Sequence, residues 1–298
     1  MTAGVDGQIL RRQGRLAAYA NFVKVAHTVF ALPFAVVGVV LASRTHPVTV
    51  RQFLLAVLAF TAARFAAMGF NRIVDLRWDR MNPRTAAREL PSGSMTLAEA
   101  WALVVAMAAL FVLAAASLNP LCGWLAPVAL CWVLGYSFTK RFTYLSHFWL
   151  GWGLAIAPVG GFLAVTGAWS EPWWLLLLLA AGVAFWVAGF DILYALPDER
   201  FDREHGLKSI PVLLGAQAAI ALSRTSHILA ILSLTAFWTA SPFGHFFAAS
   251  LLLASLLLLW EHRLVRPDDF SRLNAAFFTM NGVISGVIML GAIADVLR

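Results

Sequence analysis

The sequence predicts an all-α integral membrane protein: a bundle of nine transmembrane helices with the N-terminus in the cytoplasm. Three observations carry this. The chain of 298 residues is 61% hydrophobic and only 12% charged, against about 25% charged in an average soluble domain, and no globule of this size hides that much apolar surface. Apolar runs of roughly 20 residues, the length that crosses a hydrocarbon core, recur along it. Finally, Lys and Arg gather on alternate connections. Backbone groups in lipid must be satisfied internally, so the choice is helix bundle or closed barrel, and the short alternating segments of a barrel are missing from this sequence.

The expected spans are about 22–43, 53–73, 97–117, 120–138, 145–166, 173–195, 217–239, 243–262 and 274–297. Residues 1–20 form a cytoplasmic N-terminal segment. Its residues 1–15 are polar, and the first apolar run is too long and lacks a small-residue cleavage site, so no cleaved signal peptide is expected. With sides alternating after each span, the cytoplasmic face receives Arg11, Arg12, Arg15 and Lys24, then Arg72, Arg77, Arg80, Arg84 and Arg88. It also takes Lys140, Arg141, Arg200, Arg203, Lys208, Arg263, Arg266 and Arg272. The outer face receives Arg44, Arg51 and Arg298. This is the positive-inside pattern, and it accounts for the net charge of +7 without a nucleic-acid partner. The outer connections are short, whereas those at 74–96 and 196–212 are long and on the cytoplasmic side. Long connections in a compact bundle carry function. Both begin after an even-numbered span, which suggests two four-helix pseudo-repeats plus one helix in a single domain over 1–298. Folds built this way place a site between the repeats. Cys122 and Cys131 share one span and read as small core residues, His27 and His147 as interfacial hydrogen-bonders, and Arg224 and His227 as a polar start to the seventh span.

The chain has only 15 acidic residues, yet Asp75, Asp79, Asp191, Asp198, Glu199 and Asp202 crowd into two windows at span ends. Ionisable groups beside a bilayer are costly and rare unless they bind something. Asn71, Asp75 and Asp79 are spaced i, i+4, i+8, one face of a continuous helix. One amide and two carboxylates there can hold hard cations through oxygen; a solvated helix end with Arg–Asp pairs is the alternative. Asp191, Tyr194, Asp198 and Asp202 also share a face, provided the helix survives Pro197, which should kink or end it. Asp191 lies deepest. Magnesium takes few protein ligands and bridges to substrate phosphate, so two facing carboxylate sets point to Mg²⁺ holding a diphosphate. Arg84, Arg88, Lys140, Arg141 and Lys208 lie where phosphate oxygens would need them, although cytoplasmic Lys and Arg are expected in any case. Arg64 sits inside the second span on the Asn71 face. It needs a counter-ion, for which Asp191 is available, or an anionic ligand such as the carboxylate of a second substrate.

These motifs carry a resemblance. N71-x3-D75-x3-D79, then N82-P-R-T85-A-A-R-E-L-P-S-G93, Y136-S-F-T-K-R141 and D191-x2-Y194-A-x2-D198-x3-D202-x3-G206-x-K208-S209 together resemble the UbiA family of membrane prenyltransferases. K24-V-A-H-T-V-F-A-L-P-F34 is similar to that family's first helix. Arg72 stands where many members carry a second acidic residue, so it is not counted as a ligand. The pattern is closest to the branch acting on 4-hydroxybenzoate or similar quinone precursors.

The resemblance implies a large cavity under a cytoplasmic cap with a lateral opening to lipid, Mg²⁺, a polyprenyl diphosphate and an aromatic acid acceptor. It implies that Asn71, Asp75, Asp79, Asp198 and Asp202 hold metal and diphosphate. It places Lys24, Arg84, Arg88 and Lys140 on phosphate, and Arg64, Tyr136, Asp191 and Tyr194 near the acceptor and the allylic carbon. The expected reaction joins the prenyl group to the ring carbon ortho to the hydroxyl of 4-hydroxybenzoate, as in ubiquinone biosynthesis, at a bacterial-type inner membrane. A dihydroxynaphthoate acceptor of menaquinone biosynthesis offers the same phenol and carboxylate, and composition does not separate the two. A cation transporter would carry its carboxylates near the bilayer midplane, whereas these lie at the cytoplasmic rim. The partners are then two substrates and membrane lipid, and nothing in the sequence calls for an obligatory protein partner.

Overall fold

The structure, a computed structural model, describes residues 15–265 and 279–298, apart from the side chains of 15–17 and 25–31. All regular structure among the described residues is helical. In chain order the helices are α1 (Arg15–Phe22), α2 (Val25–Ala42), α3 (Val50–Val74), α4 (Leu76–Met81), α5 (Leu97–Leu118), α6 (Pro120–Thr139), α7 (Ser146–Thr166) and α8 (Trp174–Ala195). A 3₁₀ turn at Leu196–Asp198 follows, then α9 (Glu199–Glu204), α10 (Ile210–Ala240), α11 (His245–Leu264) and α12 (Asn281–Leu297). Seven helical stretches are long and apolar enough to cross a membrane, and shorter apolar ones lie at Leu32–Ala42 and Asn281–Leu297. The expectations for Arg11, Arg12, Arg266 and Arg272, and for the side chains of Arg15 and His27, lie outside the described residues.

Helix starts follow local chemistry. Thr49 and Gln52 form a reciprocal capping box on α3, as do Thr96 and Glu99 on α5, each satisfying two amides that the helix leaves orphaned. Asn119 caps α6 through Cys122 N at 2.9 Å, with Pro120 in the first turn, where a missing N–H costs nothing. The expected spans at 97–117, 120–138, 145–166 and 173–195 coincide with α5 to α8 within one residue at either end. Other expectations are corrected. The first span is interrupted at Lys24, whose φ of 52° and ψ of 57° are left-handed. The seventh begins earlier, at Ile210, and is broken at Gly215. His227 does not mark a span start: it is buried, 2.9 Å from His262 Nε2 and 3.2 Å from the Trp186 carbonyl. Cys131 is exposed rather than in the core, and only Cys122 is buried.

From α2 to α12 each long helix packs on the next, and α12 returns to α2. The ring is pinched where α2 also packs against α7. That contact is backbone to backbone. A Cβ on Gly161 would lie 2.1 Å from the Ala35 carbonyl oxygen, and one on Gly38 would lie 1.9 Å from that of Pro158. Small residues at crossings are how helices associate in lipid, where no hydrophobic force drives them together. The core beside the pinch is aromatic, with Trp186 on α8 5.1 Å from the Phe34 ring and 5.0 Å from Phe190. The pinch leaves room on the side bounded by α3, α6, α7 and α8.

Candidate active site

Two cavities fill that room. The first, of about 260 Å³, is lined by the charged residues of the two acidic windows and the segments that fold over them. The second, of about 540 Å³, is lined almost wholly by apolar side chains of α2, α3, α5, α6, α7 and α8. They share Arg64, Met68, Asn71, Tyr136, Leu150 and Leu154, so they adjoin.

The acidic windows reach the first cavity by breaks in helices. Asn71, Asp75 and Asp79 do not lie on one continuous helix as their spacing predicts. Helix α3 stops at Val74, Asp75 takes a non-helical φ of −93° and ψ of 6°, and α4 carries Asp79 onward. Asn71 Nδ2 still donates to Asp75 Oδ2 at 2.9 Å. In the second window α8 ends at Ala195, the 3₁₀ turn contains Pro197 and Asp198, and α9 presents Asp202. Proline removes an intrahelical bond, which forces the turn.

Every carboxylate of this rim has a cationic partner. Arg88 Nη1 donates to Asp79 Oδ1 and Oδ2 at 2.8 and 3.0 Å. Arg84 grips Asp198 with both Nε, at 3.0 Å, and Nη2, and its guanidinium lies 5.2 Å from the Tyr194 ring centre. Lys140 Nζ donates to Asp202 Oδ2 at 2.9 Å. Arg141 bridges the Val74 carbonyl at 3.1 Å and Asp75 Oδ1 at 3.5 Å. Burial opposes the Lys140 ammonium, but Asp202 and its hydrogen bond outweigh that and hold its pKa above the ordinary lysine value. Burial, then the Asp79 charge, pushes the Asp75 carboxyl up to about 6, against the pull of Arg141 and Lys140.

The expected ligands are thus brought together around one cavity, but not as a gathered cluster: among the described residues no three Asp, Glu, His or Cys side chains converge to hold a metal ion. The donor set nevertheless fits Mg²⁺, which takes one or two carboxylates and completes its shell with water and phosphate oxygen.

Lys24 lines the cavity. Lys208 does not: it donates to the Phe142 carbonyl at 3.2 Å and sits 5.7 Å from the Tyr144 ring centre. Arg72 also borders the cavity, but its guanidinium is paired with buried Glu89. Arg64 is not paired with Asp191. Its Nε is buried without a hydrogen-bond partner among the described residues, at the junction of the two cavities.

The profile of the UbiA prenyltransferase family matches residues 31–283. The chain belongs to this family. It is therefore an enzyme, a multi-pass membrane prenyltransferase. A relative from Yersinia enterocolitica named 4-hydroxybenzoate octaprenyltransferase is 32% identical over 237 residues, 79% of this chain and 80% of that protein. The apo structure of a UbiA homologue from Aeropyrum pernix K1 superposes with a TM-score of 0.82 at 37% identity, covering 90% of this chain and 98% of that one. A UbiA homologue from Archaeoglobus fulgidus bound to GPP and Mg²⁺ has a TM-score of 0.71 at 18% identity, covering 94% and 100%, and shares the fold.

Two residues of this UbiA prenyltransferase's site went unassigned from sequence. Asn82 donates to Asp198 Oδ1 at 3.2 Å while its own Oδ1 accepts from Arg84 N at 2.9 Å, so it sets the grip of Arg84. It lies within the N82-P-R-T85 motif, which was the available signal. His147 is fully buried and contacts Asp191. Its place at a span end had suggested an interfacial hydrogen-bonder, and nothing local in the sequence pairs it with α8.

Proposed function

We propose that this prenyltransferase moves a polyprenyl group from its diphosphate to the ring carbon ortho to the hydroxyl of 4-hydroxybenzoate, using Mg²⁺. The observation that carries the reading is Arg64, a buried guanidinium with an unsatisfied Nε, facing both a cavity of carboxylates and cations and an apolar cavity. A buried arginine held that way suits an anionic group on a second substrate. The charged cavity suits the diphosphate, and the apolar one the isoprenoid tail. The names of the bacterial relatives agree with a 4-hydroxybenzoate acceptor, and the Archaeoglobus homologue carries a prenyl diphosphate with Mg²⁺.

On this reading the chain makes nine membrane crossings, in two four-helix halves plus α12. The N-terminus and the cap over the charged cavity face the cytoplasm of a bacterial inner membrane. Asn71, Asp75, Asp79, Asp198 and Asp202 would hold Mg²⁺, which when bound neutralises the departing diphosphate. Arg84, Arg88 and Lys140 exchange their carboxylate partners for phosphate oxygens, and Lys24, which lines the same cavity, adds a fourth cation. The allylic C–O bond breaks with its electron pair going to diphosphate, and the apolar walls keep water from the resulting cation. The rings of Tyr136 and Tyr194 offer it π faces, Tyr194 once Arg84 has turned to phosphate. Arg64 holds the acceptor by its carboxylate, and Asp191 accepts a hydrogen bond from its hydroxyl, which raises electron density at the ortho carbon; that carbon bonds to the allylic cation and then gives up its ring proton to the released diphosphate, which restores the aromatic ring.

Product mass tests this. Purified protein in lipid, given a polyprenyl diphosphate and Mg²⁺, should yield prenylated 4-hydroxybenzoate, and none from the Asp75→Asn or Asp198→Asn protein or after chelation of the metal. Product from dihydroxynaphthoate alone would move the reading to the naphthoate acceptor. Wild-type turnover by either Asn variant would overturn the metal assignment.

A further inference from the structure

Asp191 is held by a residue that the reaction as described does not use. His147, in the first turn of α7, has its Nδ1 2.6 Å from Asp191 Oδ2. On the other side of the ring the amide of Ile210, the first residue of α10, donates to Nε2 at 3.3 Å. A backbone N–H can only donate, so Nε2 carries the lone pair and the proton of the neutral ring sits on Nδ1. His147 therefore donates to Asp191. Oδ2 is occupied, and Oδ1, which makes no hydrogen bond among the described residues, is left for a ligand in the cavity that Asp191 lines.

The Ile210 amide is one of the orphan donors at a helix start, and Ser209 before it provides no side-chain cap. His147 fills that role. One imidazole thus joins the cap segment, which returns to the bundle at Ser209, to the carboxylate on α8. With Nε2 engaged by an amide that cannot surrender its proton, the ring does not pass a proton onward.

We propose that His147 is a positioning residue for Asp191: its Nδ1–H fixes the rotamer of the carboxylate and aims Oδ1 at the acceptor hydroxyl, while Nε2 ties this geometry to the end of the cap segment at Ile210. The proposal rests on the reading of Asp191 as the group that meets that hydroxyl. A histidine at this point that only filled space or capped α10 would leave Asp191 free to rotate among its wells.

Two amides separate the two bonds of the ring. In His147→Gln the side-chain oxygen reaches the Nε2 position and keeps the Ile210 contact, but the donor to Asp191 is lost. In His147→Asn the amide N–H₂ lies near Nδ1 and keeps the donor, but the Ile210 contact is lost. The test is steady-state kinetics of the full-length protein in lipid with 4-hydroxybenzoate and a polyprenyl diphosphate, alongside thermal unfolding. His147→Gln should lose about 10- to 100-fold in kcat, the worth of a hydrogen bond to a charged group, with KM for the diphosphate unchanged. His147→Asn should lose far less of kcat but unfold at a lower temperature. Asp191→Asn should lose as much as His147→Gln or more, and adding His147→Gln to it should cost nothing further. The opposite ranking of Gln and Asn, equal losses in the two, loss of folded protein in either, or an Asp191→Asn enzyme with wild-type kcat would each overturn the proposal. A wild-type protein that makes no prenylated acceptor would instead strike at the reaction itself, before any variant is compared.

Discussion

Arg72 follows the first ligand candidate, Asn71, yet it belongs to the scaffold. Its guanidinium pairs with Glu89 of the R-E-L-P-S-G segment, donates to the Asn21 carbonyl at 3.2 Å and lies 5.5 Å from the Phe22 ring centre. Both charged side chains are about 4% exposed, so neither has water to fall back on. Arg72→Met should therefore lower stability by about 3–5 kcal/mol, because Glu89 is left charged and buried, and the added change Glu89→Leu should restore most of it. Thermal or denaturant unfolding of the two variants checks this; a single variant as stable as wild type would show that the pair does not hold the cap. At this scale the sequence displayed which residues were costly but not whom they met. Asp79 finds Arg88 nine residues away, whereas Asp198 finds Arg84 and Asp202 finds Lys140 at separations of 114 and 62 residues. Only the nearest of these could be guessed from spacing. His147 escaped notice for the same reason, since its partner is 44 residues on.

Helices were legible where apolar length and capping chemistry agree, as at Thr96–Glu99 and Asn119–Pro120. They were misread where the chain breaks a helix without proline. Nothing in the composition around Asp75 announces a stop, and Lys24 adopts a left-handed conformation that a non-glycine residue enters at a cost. Both breaks line the charged cavity, and there the local pattern yields to the site. Helix contacts were also hidden, since glycine spacing alone does not say which crossing it serves. The pinch between α2 and α7 makes a specific prediction. Gly161→Ala brings a Cβ to 2.1 Å from the Ala35 carbonyl and should cost about 1–3 kcal/mol through backbone displacement. A Cβ added at its neighbour Gly160 would meet no atom within 4 Å, so Gly160→Ala should be neutral or stabilise slightly through helix propensity. Unfolding temperatures that rank the two the other way would refute the close approach.

If, as proposed, a water-soluble acid and a membrane lipid meet in this protein, the whole molecule offers a place for each. A ring of helices pinched between α2 and α7 leaves one space with a charged end and an apolar end, and Arg64 stands where they join. The membrane class and the two acidic windows could be read from hydropathy and charge, but the joining of two cavities could not, because it arises from which helices close the ring. Steady-state kinetics of Arg64→Ala test this central claim most directly. If Arg64 anchors the acceptor's carboxylate at the junction, KM for 4-hydroxybenzoate should rise about 30-fold or more, the loss of a charge-assisted contact in a buried site, while KM for the polyprenyl diphosphate stays at its wild-type value. Equal increases for both substrates, or an unchanged acceptor KM, would contradict the account.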